Sequence, residues 1–436
     1  MASDTASQPA KNSDSLADAS MCRCLADWFC EVSGCFPAQA QVCQEQGGIL
    51  FRPIFGSPQR SYTLYYDESN NHRKFYINSA HDSYNVDNDP SRKQVAATNF
   101  MLGGLAHHGE SCTADPEALI ASLRLQKSAK ELKFDQVASG SFDLVLKSAR
   151  VKQILRWILD SDLFVHYFSL NMEYWAFLDI VDDCIYHCVQ KDRLRVPDEQ
   201  AFAFINLQKD ALYRLLVSDK TRFLATMRRF NFPAIEGRER EFIRALLELS
   251  QSRIEELRSS AGPSDDELES VLAFSQLLTA CGDIDDMGMT VNDEAGALID
   301  GLSVFYQNRG QLFANSTHVF DDEFSVDDDL AELHEADTSL QFRHRFVNSL
   351  NSPLTQISDV VAGLFAKYFE CIERNSVDTL IAMRDAFNPF QTEALGLMRG
   401  VIDKSDQECQ HFLHYVMPAN SHRKHGIFMF PDEYMG

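Results

Sequence analysis

A strand-like run that ends in acidic and turn-forming residues constrains the fold of this chain most. Residues Tyr62 to Tyr66 are tyrosine, threonine and leucine, and they lead directly into Asp67-Glu-Ser-Asn-Asn. The first group favours a β-strand and the second favours a turn. A carboxylate at the end of a strand is held in place by the sheet. The pattern therefore predicts a sheet that holds Asp67 in a well-defined position.

The charge and cysteine content limit the classes of protein that this sequence can encode. Among 436 residues, 40 are basic and 64 are acidic, so the formal net charge is −24. Broad nonspecific binding to phosphates draws on lysine and arginine, so only a local basic groove is compatible with nucleic acid. Residues 1–20 lack the pattern of a signal peptide or presequence, and no apolar run is long enough to span a membrane. Eleven cysteines without a signal peptide predict free thiols and a cytoplasmic location.

The chain begins with segments that carry little fold information. Residues 1–45 predict a disordered tail followed by a cysteine-rich segment, Cys22 to Cys43. The cysteine spacings match none of the paired patterns of zinc sites, which favours buried thiols near a short amphipathic helix. A zinc-dependent protein centred on these cysteines stays as an alternative.

Residues 46–171 are predicted to form the first part of a β-containing core. Three successive strands with short connections predict an antiparallel meander. Two helices and a further strand follow. The predicted strands are Ile49–Phe55, Tyr62–Tyr66, Lys74–Asn78, Ala97–Ala106 and Asp162–Leu170, with helices at Asp115–Ala129 and 148–160.

The rest of the chain is mostly helical in pattern. Residues 172–312 predict a large helical insertion, and 313–375 predict the second part of the core, with a strand at Thr317–Glu323 and a helix that opens at Ser352-Pro353. Residues 376–436 predict a helical C-terminal region with an irregular tail. The expected class is α/β (α+β), with a mixed sheet core. The helices of the insertion are predicted near 172–191, 198–217, 219–230, 236–259, 265–281 and 293–309.

Acidic residues stand out at strand ends and on one apolar helix. Asp359 follows a core-facing pattern and shares a helix face with Gln356 and Gly363, where the absent side chain permits close approach. A carboxylate that faces a core needs a cation or donors, although helix spacing alone is equally compatible with a solvent-facing Asp359. Only one of the adjacent residues Asp321 and Asp322 can face a shared site, because adjacent strand residues point to opposite faces. Clustered carboxylates are the ligands that Mg²⁺ prefers, and two such ions promote phosphodiester hydrolysis.

Five motifs in this order resemble the DUF3800 family, a large and mainly prokaryotic family with a predicted RNase H-like fold. The resemblance spans about residues 60–375. Asn70 stands where the family has glycine, and Ser358 where it has alanine, and neither change removes a carboxylate. The motifs are Tyr65-Tyr-Asp-Glu-Ser-Asn70, Phe100-Met-Leu-Gly-Gly-Leu105, Lys130-Glu-Leu-Lys133, Val319-Phe-Asp-Asp-Glu323 and Pro353-Leu-Thr-Gln-Ile-Ser-Asp-Val-Val-Ala-Gly363.

The resemblance implies a metal-dependent nuclease. It places four carboxylates at a two-metal Mg²⁺ or Mn²⁺ site that hydrolyses RNA or DNA, in a setting of prokaryotic antiviral defence or mobile elements. It implies nucleic acid as substrate, a protein partner or activator as an open possibility, and no membrane. The implied ligand and catalytic residues are Asp67, Glu131, Asp321 and Asp359, and the adjoining or alternative residues are Glu68, Lys133 and Asp322.

Other patterns leave alternatives open. A non-catalytic RNase H-like module could bind nucleic acid or protein through the helical insertion, where Arg222–Phe230 is basic and aromatic. His166 and His318 are candidates for proton carriers, although a lone strand histidine usually has a packing role. Cys184 and Cys188 have helical i, i+4 spacing, but without further ligands buried thiols are favoured.

Overall fold

The structure is a computed structural model, and it describes residues 58–70, 74–78, 83–86, 99–126, 128–259, 265–290, 294–299 and 301–434. The predicted tail and cysteine-rich segment 1–45, including the alternative zinc site, lie outside the described residues. The predicted strand Ile49–Phe55 does as well.

The strands form one mixed six-stranded sheet and one small sheet. The large sheet has the order β8-β7-β1-β4-β5-β9, and the small one has the order β3-β2-β6. In the large sheet β1, β7 and β8 are parallel, β4 is antiparallel to both β1 and β5, and β9 is parallel to β5. The strands are β1 Tyr62–Ser69, β2 Phe75–Ile77, β3 Tyr84–Val86, β4 Asn99–His108, β5 Phe164–Asn171, β6 Ala297–Ile299, β7 Thr317–Asp321, β8 Arg343–Val347 and β9 Leu413–Val416.

Helices cover both faces of the large sheet. The long insertion between β5 and β7 is almost entirely helical, as the sequence predicts. In chain order the helices are α1 Pro116–Ser122, α2 Phe134–Val137, α3 Phe142–Val145, α4 Ala149–Asp160, α5 Met172–Trp175, α6 Leu178–Gln190, α7 Asp198–Ser218, α8 Lys220–Phe230, α9 Glu239–Ser259, α10 Asp265–Ala280, α11 Ser303–Leu312, α12 Phe324–Ala336, α13 Pro353–Arg374, α14 Val377–Asp385, α15 Pro389–Glu408, α16 Ala419–Met429 and α17 Pro431–Tyr434.

Alternation along the strands creates two hydrophobic cores, one on each face of the large sheet. Tyr66 and Phe320 face the core that contains the buried residues of the helical insertion. Leu105 and Tyr167 face the opposite core, which contains the buried residues of α4, α13 and α15. The candidate site lies on this second face, so the insertion and the site are on opposite sides of the sheet.

Helix α13 packs closely across β1 and β4 because β4 has a glycine under it. A Cβ at Gly104 would lie 2.3 Å from the Tyr65 carbonyl oxygen and 2.4 Å from the Ser358 side chain. Without that Cβ, the Ser358 hydroxyl accepts a hydrogen bond from the Leu105 N–H at 3.1 Å. Gly104 of β4 therefore sets the distance between the sheet and the helix that carries Asp359.

The mixed α/β class and several individual elements agree with the predictions. The helix expected over 148–160 is α4, with Ser148 as the N-cap residue. The helix predicted to open at Ser352-Pro353 is α13, with Pro353 at its first turn. The strand expected at Thr317–Glu323 is β7, which ends at Asp321.

Other predictions about the elements were wrong. The expected meander is interrupted, because β2 leaves the large sheet and pairs with β3 and β6, so that β1 and β4 are direct neighbours. Helix α1 ends at Ser122, well before Ala129. The predicted irregular tail contains α16. Strands β3, β6, β8 and β9 were missed because each is only three to five residues long and is defined by its neighbour in the sheet.

None of the helices in the described ranges combines the length and the apolar character that crossing a bilayer requires.

Candidate functional site

Two of the predicted carboxylates lie side by side at the ends of parallel strands. β1 and β7 pair in register up to Tyr66 and Phe320, so Asp67 and Asp321 are the next residues on each strand. Their side chains project to the face that α13 covers. Ligands in open α/β sheets bind beyond the carboxyl ends of parallel strands, where loops and helix ends leave space. The sheet therefore brings together two acids that are remote in sequence.

Helix α13 supplies the third carboxylate and also fixes the segment that runs beside it. Gln356 Oε1 accepts a hydrogen bond from the Leu132 N–H at 2.8 Å. Asp359 Oδ1 accepts one from the Phe134 N–H at 2.5 Å. At Gly363 a Cβ would lie 2.4 Å from Phe134 Cγ, so the Phe134 ring needs this glycine. The shared helix face of Gln356, Asp359 and Gly363 thus holds residues 132–134 against the helix.

The Lys133 ammonium lies between the three aspartates. Its Nζ is 3.3 Å from Asp359 Oδ2, 3.5 Å from Asp67 Oδ2 and 3.6 Å from Asp321 Oδ2. The Lys133 side chain is 30% exposed, whereas the Asp67 side chain is only 7% exposed. A flexible lysine with one side open to solvent therefore occupies the point at which the carboxylates converge.

The second oxygen of each aspartate is held by a backbone N–H. Asp67 Oδ1 accepts from Glu68 N at 2.7 Å, and Asp321 Oδ1 accepts from Ser349 N at 3.2 Å. Asp359 Oδ1 is held by Phe134, as described above. Since the backbone donors cannot rotate away, they orient each carboxylate so that Oδ2 faces the common centre. The orientation of the three Oδ2 atoms is thus built into the main chain.

Glu131 lies next to this centre and is connected to it through Ser349. Ser349 Oγ donates to Glu131 Oε2 at 2.9 Å, while the Ser349 N–H holds Asp321. Gln356 Nε2 donates to the Ser349 carbonyl oxygen at 2.8 Å, which fixes Ser349 itself. The fourth predicted carboxylate is therefore part of the same hydrogen-bond network, although it does not contact Lys133.

Burial makes the charge state of the centre unusual. Burial, followed by the repulsion of the Asp359 carboxylate, raises the pKa of Asp67 to about 8. Burial also raises the pKa of Asp359, against the lowering effect of Lys133. Burial alone would lower the pKa of Lys133, but the three carboxylates outweigh it and hold that pKa above its ordinary value. One ammonium thus compensates three acids only in part, which leaves the centre attractive to further positive charge.

The structure distinguishes the two acidic candidates at the end of β7. Asp321 faces the centre, and its neighbour Asp322 is exposed. Glu68, the residue after Asp67, has other acids nearby. Burial, and after it the charges of Asp67, Glu323 and Asp321, raise the pKa of Glu68 well above its usual range. Glu68 Oε1 is buried and accepts no hydrogen bond from the described residues.

The described part of the chain contains no group of three or more His, Cys, Asp or Glu side chains arranged to hold a metal ion directly. At the carboxylate centre the Lys133 ammonium stands in the position that a cation would take. The donor set itself suits a hard divalent ion, because all its ligand atoms are carboxylate oxygens. Asp67 Oδ2 is buried and receives no hydrogen bond from the described residues, only the ammonium at 3.5 Å.

Sequence reasoning did not predict the roles of two contributors to the site. Lys133 was named only as an adjoining or alternative residue, and its central position was not predicted. The motif Lys130-Glu-Leu-Lys133 was the signal that could have placed it there. Ser349 had no signal, since its key contact uses a backbone N–H that any residue other than proline can provide.

The two candidate histidines have buried, structural positions. His166 Nε2 lies 2.9 Å from the Tyr65 carbonyl oxygen, and burial holds the pKa of His166 well below its usual value. His318 Nδ1 is 2.9 Å from the Tyr66 hydroxyl, and burial lowers the pKa of His318 to about 3. Neither contacts the carboxylate centre, so they do not serve as its proton carriers.

The cysteine and basic-helix candidates lie elsewhere. Cys184 and Cys188 are buried thiols, and Cys188 Sγ lies 3.3 Å from Cys281 Sγ. The segment Arg222–Phe230 corresponds to α8, an amphipathic helix with Phe223 and Phe230 buried in the core of the insertion. The buried thiols agree with the role that the sequence favoured for the two cysteines.

Comparison of the chain with protein-family models, with curated proteins and with solved structures gave no match.

Proposed function

We propose that this protein is a divalent-metal-dependent nuclease that hydrolyses phosphodiester bonds in RNA or DNA. One observation carries the proposal. Three aspartates from β1, β7 and α13 direct their Oδ2 atoms at one point, and backbone N–H groups orient them there. Such a costly concentration of partly buried acids is typical of a functional site.

Asp67, Asp321 and Asp359 would hold Mg²⁺ or Mn²⁺, with Glu131 as the fourth ligand. When bound, a pair of these ions activates water and stabilises the charge on the leaving oxygen. The chain's own contribution is orientation, since each Oδ1 is fixed by a backbone donor. Lys133 has to leave the centre for an ion to enter. Its exposed side and long stem allow that movement, after which its ammonium is placed to contact a substrate phosphate.

The family and fold assignments belong to the same proposal. The mixed sheet, the helical insertion on its far face and the close α13 contact at Gly104 support an RNase H-like core of the DUF3800 kind. A role in prokaryotic defence or mobile-element biology goes with that assignment. No part of this setting is needed for the chemistry of the site.

A cleavage assay tests the proposal. Labelled single-stranded and duplex RNA and DNA would be incubated with purified protein and Mg²⁺, Mn²⁺ or EDTA. We expect metal-dependent cleavage that Asp67→Asn and Asp359→Asn each reduce by about 10²-fold or more. Asp322→Asn is the matched control, because Asp322 is the exposed neighbour of Asp321. Equal cleavage by wild type and both site variants would show that this site is not responsible.

The position of Lys133 favours one second candidate, a non-catalytic binding module. In that case the ammonium is a permanent counter-ion that ties β1, β7 and α13 together. Isothermal titration with Mg²⁺ and Mn²⁺ separates the two functions. Heat of binding that disappears in Asp67→Asn favours the nuclease, whereas no binding by folded wild-type protein favours the module.

A further inference from the structure

The edge strand β8 carries two arginines on the face of the sheet that holds the carboxylates. In the parallel β7–β8 pair, Thr317 lies opposite Arg343, Val319 opposite Arg345 and Asp321 opposite Val347. Paired residues point to the same face, so Arg343 and Arg345 project on the side of Asp321. Along β8, Arg345 lies two residues, or about 6.6 Å, before the row that contains Asp321 and Val347. Arg343 lies a further two residues before Arg345.

This part of the face is open to solvent. Helix α13 packs mainly on β1 and β4, and both arginines on β8 are exposed. Arg343 Nη2 donates to the Asn315 carbonyl oxygen at 2.8 Å, which orients its guanidinium without neutralising it. Within the described ranges, neither arginine forms an ion pair with a carboxylate. Two positive charges therefore lie in a line that leads to the acidic centre.

A partly exposed aromatic ring borders the same line. Tyr65 belongs to the row that contains Val319 and Arg345. Its side chain is only partly buried. Arginines that follow a backbone, beside an aromatic ring on which a base can stack, are the usual elements of single-strand binding.

We propose that Arg343, Arg345 and Tyr65, here called the arginine ledge, bind a single-stranded polynucleotide and lead it to the carboxylate centre. The inference rests on the proposed nuclease function, because it identifies the substrate of that same site. The two guanidiniums bind successive phosphates through charge-assisted hydrogen bonds, and Tyr65 supports a base.

The small number of arginines favours one strand over two. A duplex presents two phosphate backbones and requires a broad basic surface, whereas the ledge has two arginines in a single line on β8. The chain as a whole has a net charge of −24, so it offers little positive charge to a second backbone. The alternate positions of Arg343 and Arg345 match a single extended chain, and Tyr65, two strands away on β1, borders that line.

Fluorescence anisotropy with labelled strands of about 12 nucleotides, within the size range of single-strand sites, tests the ledge directly. Single-stranded RNA, single-stranded DNA and duplex DNA would be titrated with full-length protein in EDTA, over a range of salt concentrations. We expect Arg343→Gln with Arg345→Gln to weaken single-strand binding about tenfold at low salt. The slope of log K against log[salt] falls by about 0.7 for each phosphate that the variant no longer neutralises.

Matched controls come from the arginines on the other side of the sheet. Arg244→Gln with Arg258→Gln removes the same charge from exposed positions on α9, and we expect single-strand binding within about twofold of wild type. Tyr65→Leu keeps an apolar side chain in place and is expected to lower affinity without changing the salt slope, since it removes stacking and no charge. Circular dichroism and unfolding curves confirm that each variant is folded.

Each outcome decides the inference independently of catalysis. Equal affinity of wild type and the β8 double variant, tighter binding of the duplex than of single strands, or no binding by wild-type protein would each overturn it. The RNA and DNA arms show which sugar the ledge prefers. Because EDTA removes the metal, absence of cleavage in the earlier assay leaves this result unaffected. Cleavage that Asp67→Asn abolishes, with no effect of the β8 variants, would leave the nuclease proposal intact and reject the ledge.

Discussion

The Phe134 N–H donates a hydrogen bond to Asp359 Oδ1 at 2.5 Å, and the Phe134 ring lies against Gly363 one helical turn further along α13. This pair of contacts positions the residue before it. Lys133 reaches the three aspartates because its own main chain is held against the helix that carries one of them. The centre therefore depends on a glycine whose only role is the absence of a side chain.

Gly363→Ala should separate this packing role from helix propensity. The added Cβ would lie 2.4 Å from Phe134 Cγ, so we expect the free energy of unfolding to fall by about 1–3 kcal/mol. Gly396→Ala is the matched control, because Gly396 is at an exposed position on α15 with no atom within 4 Å of a Cβ. It should stabilise the protein by about 0.5–1 kcal/mol. Urea unfolding of both variants gives the comparison, and a neutral or stabilising Gly363→Ala would contradict the described contact.

Lys133→Met should destabilise the metal-free protein and increase the stabilisation that bound metal provides. Three aspartates then lack their cation, and we expect stability to fall by about 1–3 kcal/mol, less than for a fully buried pair because Lys133 is partly exposed. The competing ammonium is also gone, so Mg²⁺ should raise the melting temperature more than in wild type. Lys130→Met, at an exposed neighbouring position, serves as the control. If both variants respond to Mg²⁺ like wild type, Lys133 does not compete for the metal position.

Glu131→Gln should show whether the fourth carboxylate belongs to the metal site. Glu131 reaches the centre through Ser349 Oγ, and an amide retains the shape but loses the charge. We expect Mn²⁺ affinity, measured by isothermal titration, to fall about 10–100-fold. Asp135→Asn changes an exposed acid close by and should leave the affinity unchanged. Unchanged affinity in Glu131→Gln would remove Glu131 from the ligand set.

Buried histidines should make the protein sensitive to acid. The folded-state pKa of His318 is about 3, below its ordinary value near 6.5, because of burial. Between these two values the unfolded chain binds a proton that the native state does not. Stability is therefore complete above about pH 6.5 and falls as the pH decreases toward 3, by up to about 1.4 kcal/mol per pH unit for this residue.

Urea unfolding between about pH 7.5 and about pH 4, a range that spans the unfolded-state pKa of histidine, measures this dependence. His318→Gln should reduce the slope of stability against pH, although the variant is less stable at neutral pH because the Tyr66 hydroxyl loses its partner. An identical slope in wild type and His318→Gln would show that His318 is not the source.

The sequence by itself determined the parts of this protein that depend on local pattern. Tyr62 to Asp67 carries its strand and turn signals within a few residues, and α13 carries its cap, its proline and its apolar face in one stretch. The shared face of Gln356, Asp359 and Gly363 follows from helical spacing alone. For such elements the information is contained within about 20 residues, so a single sequence is sufficient.

Only the tertiary structure decided which side chains meet. Three features depend on partners that are remote in sequence or on an edge position. They are the pairing of β2 in a second sheet, the short strand β8, and the convergence of Asp67 with Asp321. The central position of Lys133 depends on a backbone hydrogen bond from its neighbour to a helix residue 225 positions later. The donors of such hydrogen bonds are main-chain N–H groups that almost every residue has, so no pattern of residue types predicts them.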